Sequence, residues 1–136
     1  MRNPKSEIRN PKRAQALLIP AGNDKPINLR ERTLAFGVRI VQISGSLPQT
    51  IEATIVRRQL IRSGTSVGAN IEEADGAFSK ADTRRSFIIS KKEAQETAYW
   101  LKIVDKVWGS SVSVKKDIDE VEQFIRILRT IIDRLG

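Results

Sequence analysis

The sequence predicts an all-α protein, an up-down-up-down four-helix bundle preceded by a disordered basic N-terminal arm. Three observations lead there. From residue 27 onward apolar residues recur at helical spacing, capping residues with Pro or Gly mark the breaks, and nothing alternates with period two between turn pairs as a β-rich fold would require. Helices joined by loops this short run antiparallel to their neighbours. At 136 residues the chain fits one domain that can bury a core without metal or disulfide staples.

The expected boundaries are an arm over 1–26 and a bundle over 27–136, with helices at about 29–46, 51–76, 80–108 and 114–135. Within the arm, RNPKSEI is followed at once by RNPKRAQ, a repeat whose prolines at 4 and 11 oppose helix. Arg2, Lys5, Arg9, Lys12, Arg13 and Lys25 stand there against Glu7 and Asp24, so half of the chain's +8 charge lies on this arm. It reads either as a nucleic-acid-binding arm or as a repeat-derived extension without a role.

Asn28 is placed to cap the first helix, with Glu31 as its capping-box partner, and Pro48 closes that helix. Leu34, Val38 and Val41, at i, i+4 and i+7, form its expected apolar stripe. Thr50 can cap the second helix, in which Val56, Leu60, Gly64, Val67 and Ile71 keep the period. That period makes RSGTSVGANIEEADGA, residues 62–77, a helix, although Gly64 and Gly68 each weaken it by about 1 kcal/mol. SKAD at 79–82 is a capping-box signature for the third helix, whose inner face is Phe87, Ala94, Leu101 and Val104. The fourth helix is expected to begin at Ser113 and to face inward with Val121, Ile125, Leu128, Ile132 and Leu135.

Composition narrows the function. The chain has neither cysteine nor histidine, which removes thiolate chemistry, disulfides, the commonest metal ligand and the commonest general base, so an enzyme is not expected. A carboxylate metal site built from Glu73 with Glu93 or Glu96 lacks the imidazoles that di-iron bundles use, and no cofactor is expected. SVKK at 113–116 matches the Ser-x-x-Lys pattern of some acyl-transfer enzymes, yet a helix cap followed by surface lysines explains it. No apolar run reaches the roughly 18 residues of a membrane span and no apolar signal segment opens the chain, so a cytoplasmic protein is expected.

The +8 surplus favours a polyanionic partner, RNA or DNA. Arg84, Lys91, Lys102 and Lys106 lie within about 40° of one line on an ideal helix, and Arg57, Arg58 and Arg62 form a second cluster on the preceding helix. Phosphates need only such positioned charges. Gln59, Arg62, Ser66, Asn70 and Glu73 make a polar stripe beside the apolar one, where Gly64 and Gly68 permit another backbone to come close. Asn70 and Glu73 could then bond to a helix end or to a polar partner such as Glu96 or Arg62. Tyr99, Trp100 and Trp108 could stack on bases, or could serve the core or a subunit contact.

RSGTSVGANIEEADGAFSKAD at 62–82 and KKEAQETAYWL at 91–101 resemble the two signature segments of the 23S rRNA intervening-sequence proteins. RERT at 30–33, Phe36 and Gln59 fit the same family, so the resemblance covers about residues 29–135. It implies a bacterial, cytoplasmic four-helix bundle without known catalysis, similar to members that assemble as homopentamers. The family also includes the accessory protein of diversity-generating retroelements, which binds nucleic acid and its reverse transcriptase. Gln59, Arg62, Ser66, Asn70 and Glu73 match the family's first motif, and Lys92, Glu93, Glu96, Tyr99, Trp100 and Leu101 its second, with packing or interface roles and no catalytic one. Thr83, Ser86 and Ser90 depart from the usual phenylalanine, lysine and alanine. The expectation is an oligomeric nucleic-acid-binding bundle, the alternative a protein-interaction scaffold or accessory subunit.

Overall fold

In the computed structural model, residues 18–20 and 26–136 are described. Two short strands, β1 (Leu18–Pro20) and β2 (Pro26–Asn28), pair antiparallel with Leu18 opposite Asn28 and Pro20 opposite Pro26. Proline lacks an N–H, so the ladder stops at the Pro20–Pro26 pair. This ladder is an addition to the sequence reading. The expected disorder of residues 1–26, and the repeat with its basic residues, otherwise fall outside the described residues.

Four helices follow: α1 (Leu29–Ser46), α2 (Ile51–Gly76), α3 (Lys80–Trp108) and α4 (Lys115–Leu135). Three begin at side-chain caps. The Glu31, Ala53 and Asp82 amides donate to Asn28 Oδ1, Thr50 Oγ1 and Ser79 Oγ at 3.2, 3.1 and 3.0 Å. α4 does not. Its cap position is Val114, without a side-chain cap bond, and Ser113 lies outside the helix. Val114 is wholly buried, so core packing draws that position inward and displaces the polar cap expected at Ser113.

Contacts across each seam run in opposite sequence order, which makes every neighbouring pair antiparallel. Thr33 and Ile40 of α1 face Gly68 and Gly64 of α2. Val67 and Ser63 of α2 bond Ser90 and Thr97 of α3, while Arg84 and Lys102 of α3 reach Ile132 and Glu122 of α4. Arg32 and Arg39 of α1 reach Glu120 and Asp117 of α4, closing the ring of four.

The core holds Val56, Leu60, Val67 and Ile71 from α2, Phe87, Ala94, Leu101 and Val104 from α3, and Val121, Phe124 and Leu128 from α4. α1 corrects the sequence reading. Its buried stripe is Leu29, Thr33, Phe36, Ile40 and Ile43, whereas Leu34, Val38 and Val41 are 68, 52 and 50 % exposed. Both stripes have helical spacing, and the one carrying phenylalanine and two isoleucines removes more apolar surface from water. Phe36 meets Phe124 edge to face at 5.3 Å, with the Arg32 guanidinium 5.2 Å over the Phe124 ring.

At the glycine seam α1 packs tightly against α2. A Cβ on Gly64 would stand 2.7 Å from Ile40 Cγ2, and one on Gly68 would stand 3.3 Å from the Thr33 backbone. Ile40 is fully buried and has nowhere to move, so the glycines serve the packing of α1 on α2.

Candidate nucleic-acid interface

The two flanks of α3 differ in how their charges are held. Toward α2, the Arg62 guanidinium bridges Glu93, at 3.3 Å, and Glu96, and the Glu96 bond is the main cause that raises the Arg62 pKa above its ordinary value. Trp100 Nε1 donates to the same Glu96 at 3.5 Å. Deeper in this seam the Thr97 hydroxyl meets Ser63 Oγ at 2.9 Å, and Ser90 donates to the Val67 carbonyl at 2.8 Å. Ser66 and Asn70 do not cross the seam: they donate to the Arg62 and Ser66 carbonyls of their own helix. Gln59 is half-buried and Glu73 exposed, and neither has a partner among the described residues.

Two further arginines of the expected basic set are engaged with backbone. Arg57 donates to the carbonyls of Ser44, Leu47 and Pro48 at 2.9, 3.0 and 3.1 Å. It thus satisfies the orphan acceptors where α1 ends and neutralises the negative end of that helix. Arg84 Nε likewise donates to Ile132 O at 3.2 Å near the end of α4. Neither role shows in a charge pattern, although Arg57 lies only two turns beyond the Thr50 cap, within reach of the preceding helix end.

The flank of α3 toward α4 is different. Lys91 is half-buried and Lys106 exposed, and neither has an ionic partner among the described residues; the same holds for Arg58 on α2. Lys102 approaches Glu122 of α4 only to 3.8 Å, with both side chains well exposed. Such a pair contributes little and yields readily to another anion. Arg129, expected only to suit the C-terminal end of the fourth helix and not counted in the basic set, stands two turns beyond Glu122 on the same face of α4, exposed and without an ionic partner among the described residues. Its seven-residue offset from Glu122 was a usable signal. On ideal helices Lys91 and Lys106 fall within about 40° of Lys102, and Arg129 within about 20° of Glu122, so these four cations share the sides of α3 and α4 that the Lys102–Glu122 pair joins.

The aromatic residues divide in the same way. Trp100 and Trp108 are half-buried against the core, whereas Tyr99 is 59 % exposed and meets Trp100 edge to face at 5.2 Å. Among the described residues there is no cluster of three acidic side chains able to hold a metal ion, and no helix is long and apolar enough to cross a membrane.

A profile of the 23S rRNA-intervening sequence proteins matches residues 27–130, the whole of the first three helices and most of the fourth. The chain belongs to the 23S rRNA-intervening sequence protein family. A solved structure agrees: a protein of unknown function from the S23 ribosomal protein family of Bacteroides thetaiotaomicron shares 33% identity at a TM-score of 0.68. The match covers 76% of this chain and 94% of that one. No curated protein matches the chain. The four-helix architecture is the one expected of that family.

Proposed function

We propose that this family member is a non-enzymatic, self-assembling bundle that binds RNA or DNA through phosphate contacts in the α3–α4 groove. The observation that carries the reading is the uncompensated charge there: Lys91, Lys106 and Arg129 lack ionic partners among the described residues, and Lys102 is only loosely held. Positioned cations of this kind neutralise phosphates and release condensed counterions without reading base sequence. Of the wider set, Arg58 is available, while Arg57, Arg62 and Arg84 hold helices together.

The assembly part rests on α1. Leu34, Val38 and Val41 line a groove of about 390 Å3 between α1 and α2, with Gly37 and Gly68 at its floor. An exposed apolar stripe of this form is best covered by a second copy, and the family resemblance points to five. A scaffold that binds a protein, a reverse transcriptase in one branch of the family, uses the same stripe and makes no demand on the lysines.

Filter retention of a generic RNA and DNA by the full chain separates the readings. Retention at low salt that falls steeply as salt rises, and is abolished by Lys91→Glu with Lys106→Glu and Arg129→Glu, supports phosphate binding. No retention by the unaltered chain sinks it and leaves the scaffold. Light scattering then tests the stripe: Leu34→Lys with Val38→Lys reduces the particle to a monomer if a second copy covers it.

A further inference from the structure

We infer that the exposed face of α3, bordering its α4 flank, is built for unpaired nucleic acid, with one base stacked on Tyr99. The inference rests on the phosphate-binding reading above and adds the class of strand. Tyr99 is a large aromatic side chain left 59 % exposed on the middle of a 29-residue helix. Its ring is not loose, because it leans edge to face on Trp100 at 5.2 Å and 77°. Trp100 is itself fixed, packed against the core with its indole N–H donating to Glu96. The arrangement is a propped platform with an open side.

The charges around it complete the site. Lys92 lies seven residues before Tyr99, Lys102 three after and Lys106 seven after, so on an ideal helix all four fall within about 80° of one another. Lys92, Lys102 and Lys106 are exposed, and Glu122 is the single carboxylate paired with any of the three among the described residues. An aromatic face flanked along one line by cations is what a single strand needs: phosphates follow the lysines while a base, free of its own stack, lies on the ring. A duplex keeps its bases stacked inside and presents only phosphates, so it gains nothing from Tyr99. Trp108 and Trp100 are half-buried and lack the open face, and Phe78, though fully exposed, lies in the loop before α3 without the ring contact that props Tyr99.

The test is fluorescence anisotropy with short labelled oligonucleotides at low salt: single-stranded RNA, single-stranded DNA, the matching DNA duplex, and a DNA strand lacking its bases. Full-length protein is compared with Tyr99→Ala, Tyr99→Phe and Lys102→Glu with Lys106→Glu. Tyr99→Ala is expected to weaken binding of both base-carrying single strands about 5- to 150-fold, the range for one lost stacking contact. It leaves the duplex and the baseless strand unchanged, and Tyr99→Phe restores the single-strand affinity. Lysine reversal weakens all four ligands. If Tyr99→Ala binds base-carrying strands as the unaltered protein does, or loses as much on the baseless strand, stacking is overturned while lysine-dependent binding keeps the phosphate reading intact. Absence of binding to any strand by the unaltered protein overturns both.

Discussion

Both flanks of α3 are polar, and they do opposite things. On the α2 side, Glu93, Glu96, Thr97 and Ser90 are tied to Arg62, Ser63 and the Val67 carbonyl, so the polar groups are spent on holding two helices together. On the α4 side, Lys91 and Lys106 have no ionic partner among the described residues, and Lys102 has one at 3.8 Å. Charge alone does not mark an interface. A guanidinium already neutralised by two carboxylates must break those bonds before it meets a phosphate, whereas an unpaired ammonium exchanges only water and mobile ions.

The packed side of α2 is where substitution should cost most. Gly64→Val is expected to destabilise the fold by about 3 kcal/mol, at the upper end of the overpacking range, because Ile40 already fills the space a Cβ would enter. Urea unfolding gives the value. A change within about 0.5 kcal/mol, the scatter of an ordinary surface site, would mean that the glycine seam is looser than its geometry.

Next comes the buried hydroxyl pair. Thr97→Val leaves the Ser63 hydroxyl in a fully buried site without its cross-helix partner, at a cost of about 2 kcal/mol. Ser63→Ala added to Thr97→Val removes both polar groups and should cost less than the sum of the single changes. Additive losses in this cycle would show that the two hydroxyls are not coupled. Nucleic-acid retention should be unaffected throughout, since neither residue faces the α4 flank.

Much of the fold beneath this contrast was legible in the sequence, and the contrast itself was not, for physical reasons. Asn28, Thr50 and Ser79 cap helices because short polar side chains satisfy local amides, an arrangement written in a few adjacent residues. The inner faces of α2 and α3 follow from one dominant apolar period. α1 has two apolar stripes, and only the packing of Phe36 on Phe124 decides between them. The basic set failed to divide for the same reason. Helical offsets tell which side of α3 a lysine occupies, but whether an arginine meets a carboxylate or a helix end depends on the neighbouring helix, as at Arg57, Arg62 and Arg84.

The smallest expected effect is also the sharpest division of the two flanks. For single-stranded ligands, log affinity falls with log salt at a slope of about 0.7 per phosphate contact, and about 0.9 for duplex. Lys106→Gln should therefore lower the duplex slope by roughly one contact's worth. Arg62→Gln should leave the slope where it is, although both changes remove one positive charge from an exposed side chain. The difference arises because Arg62 is held by Glu93 and Glu96, and its loss frees those carboxylates without removing a phosphate contact. A slope measured across several salt concentrations cancels the general effect of net charge on affinity at any one of them. Equal slope changes for the two variants would mean that nucleic acid competes Arg62 away from its carboxylates, and the α2 flank would then belong to the binding surface as well.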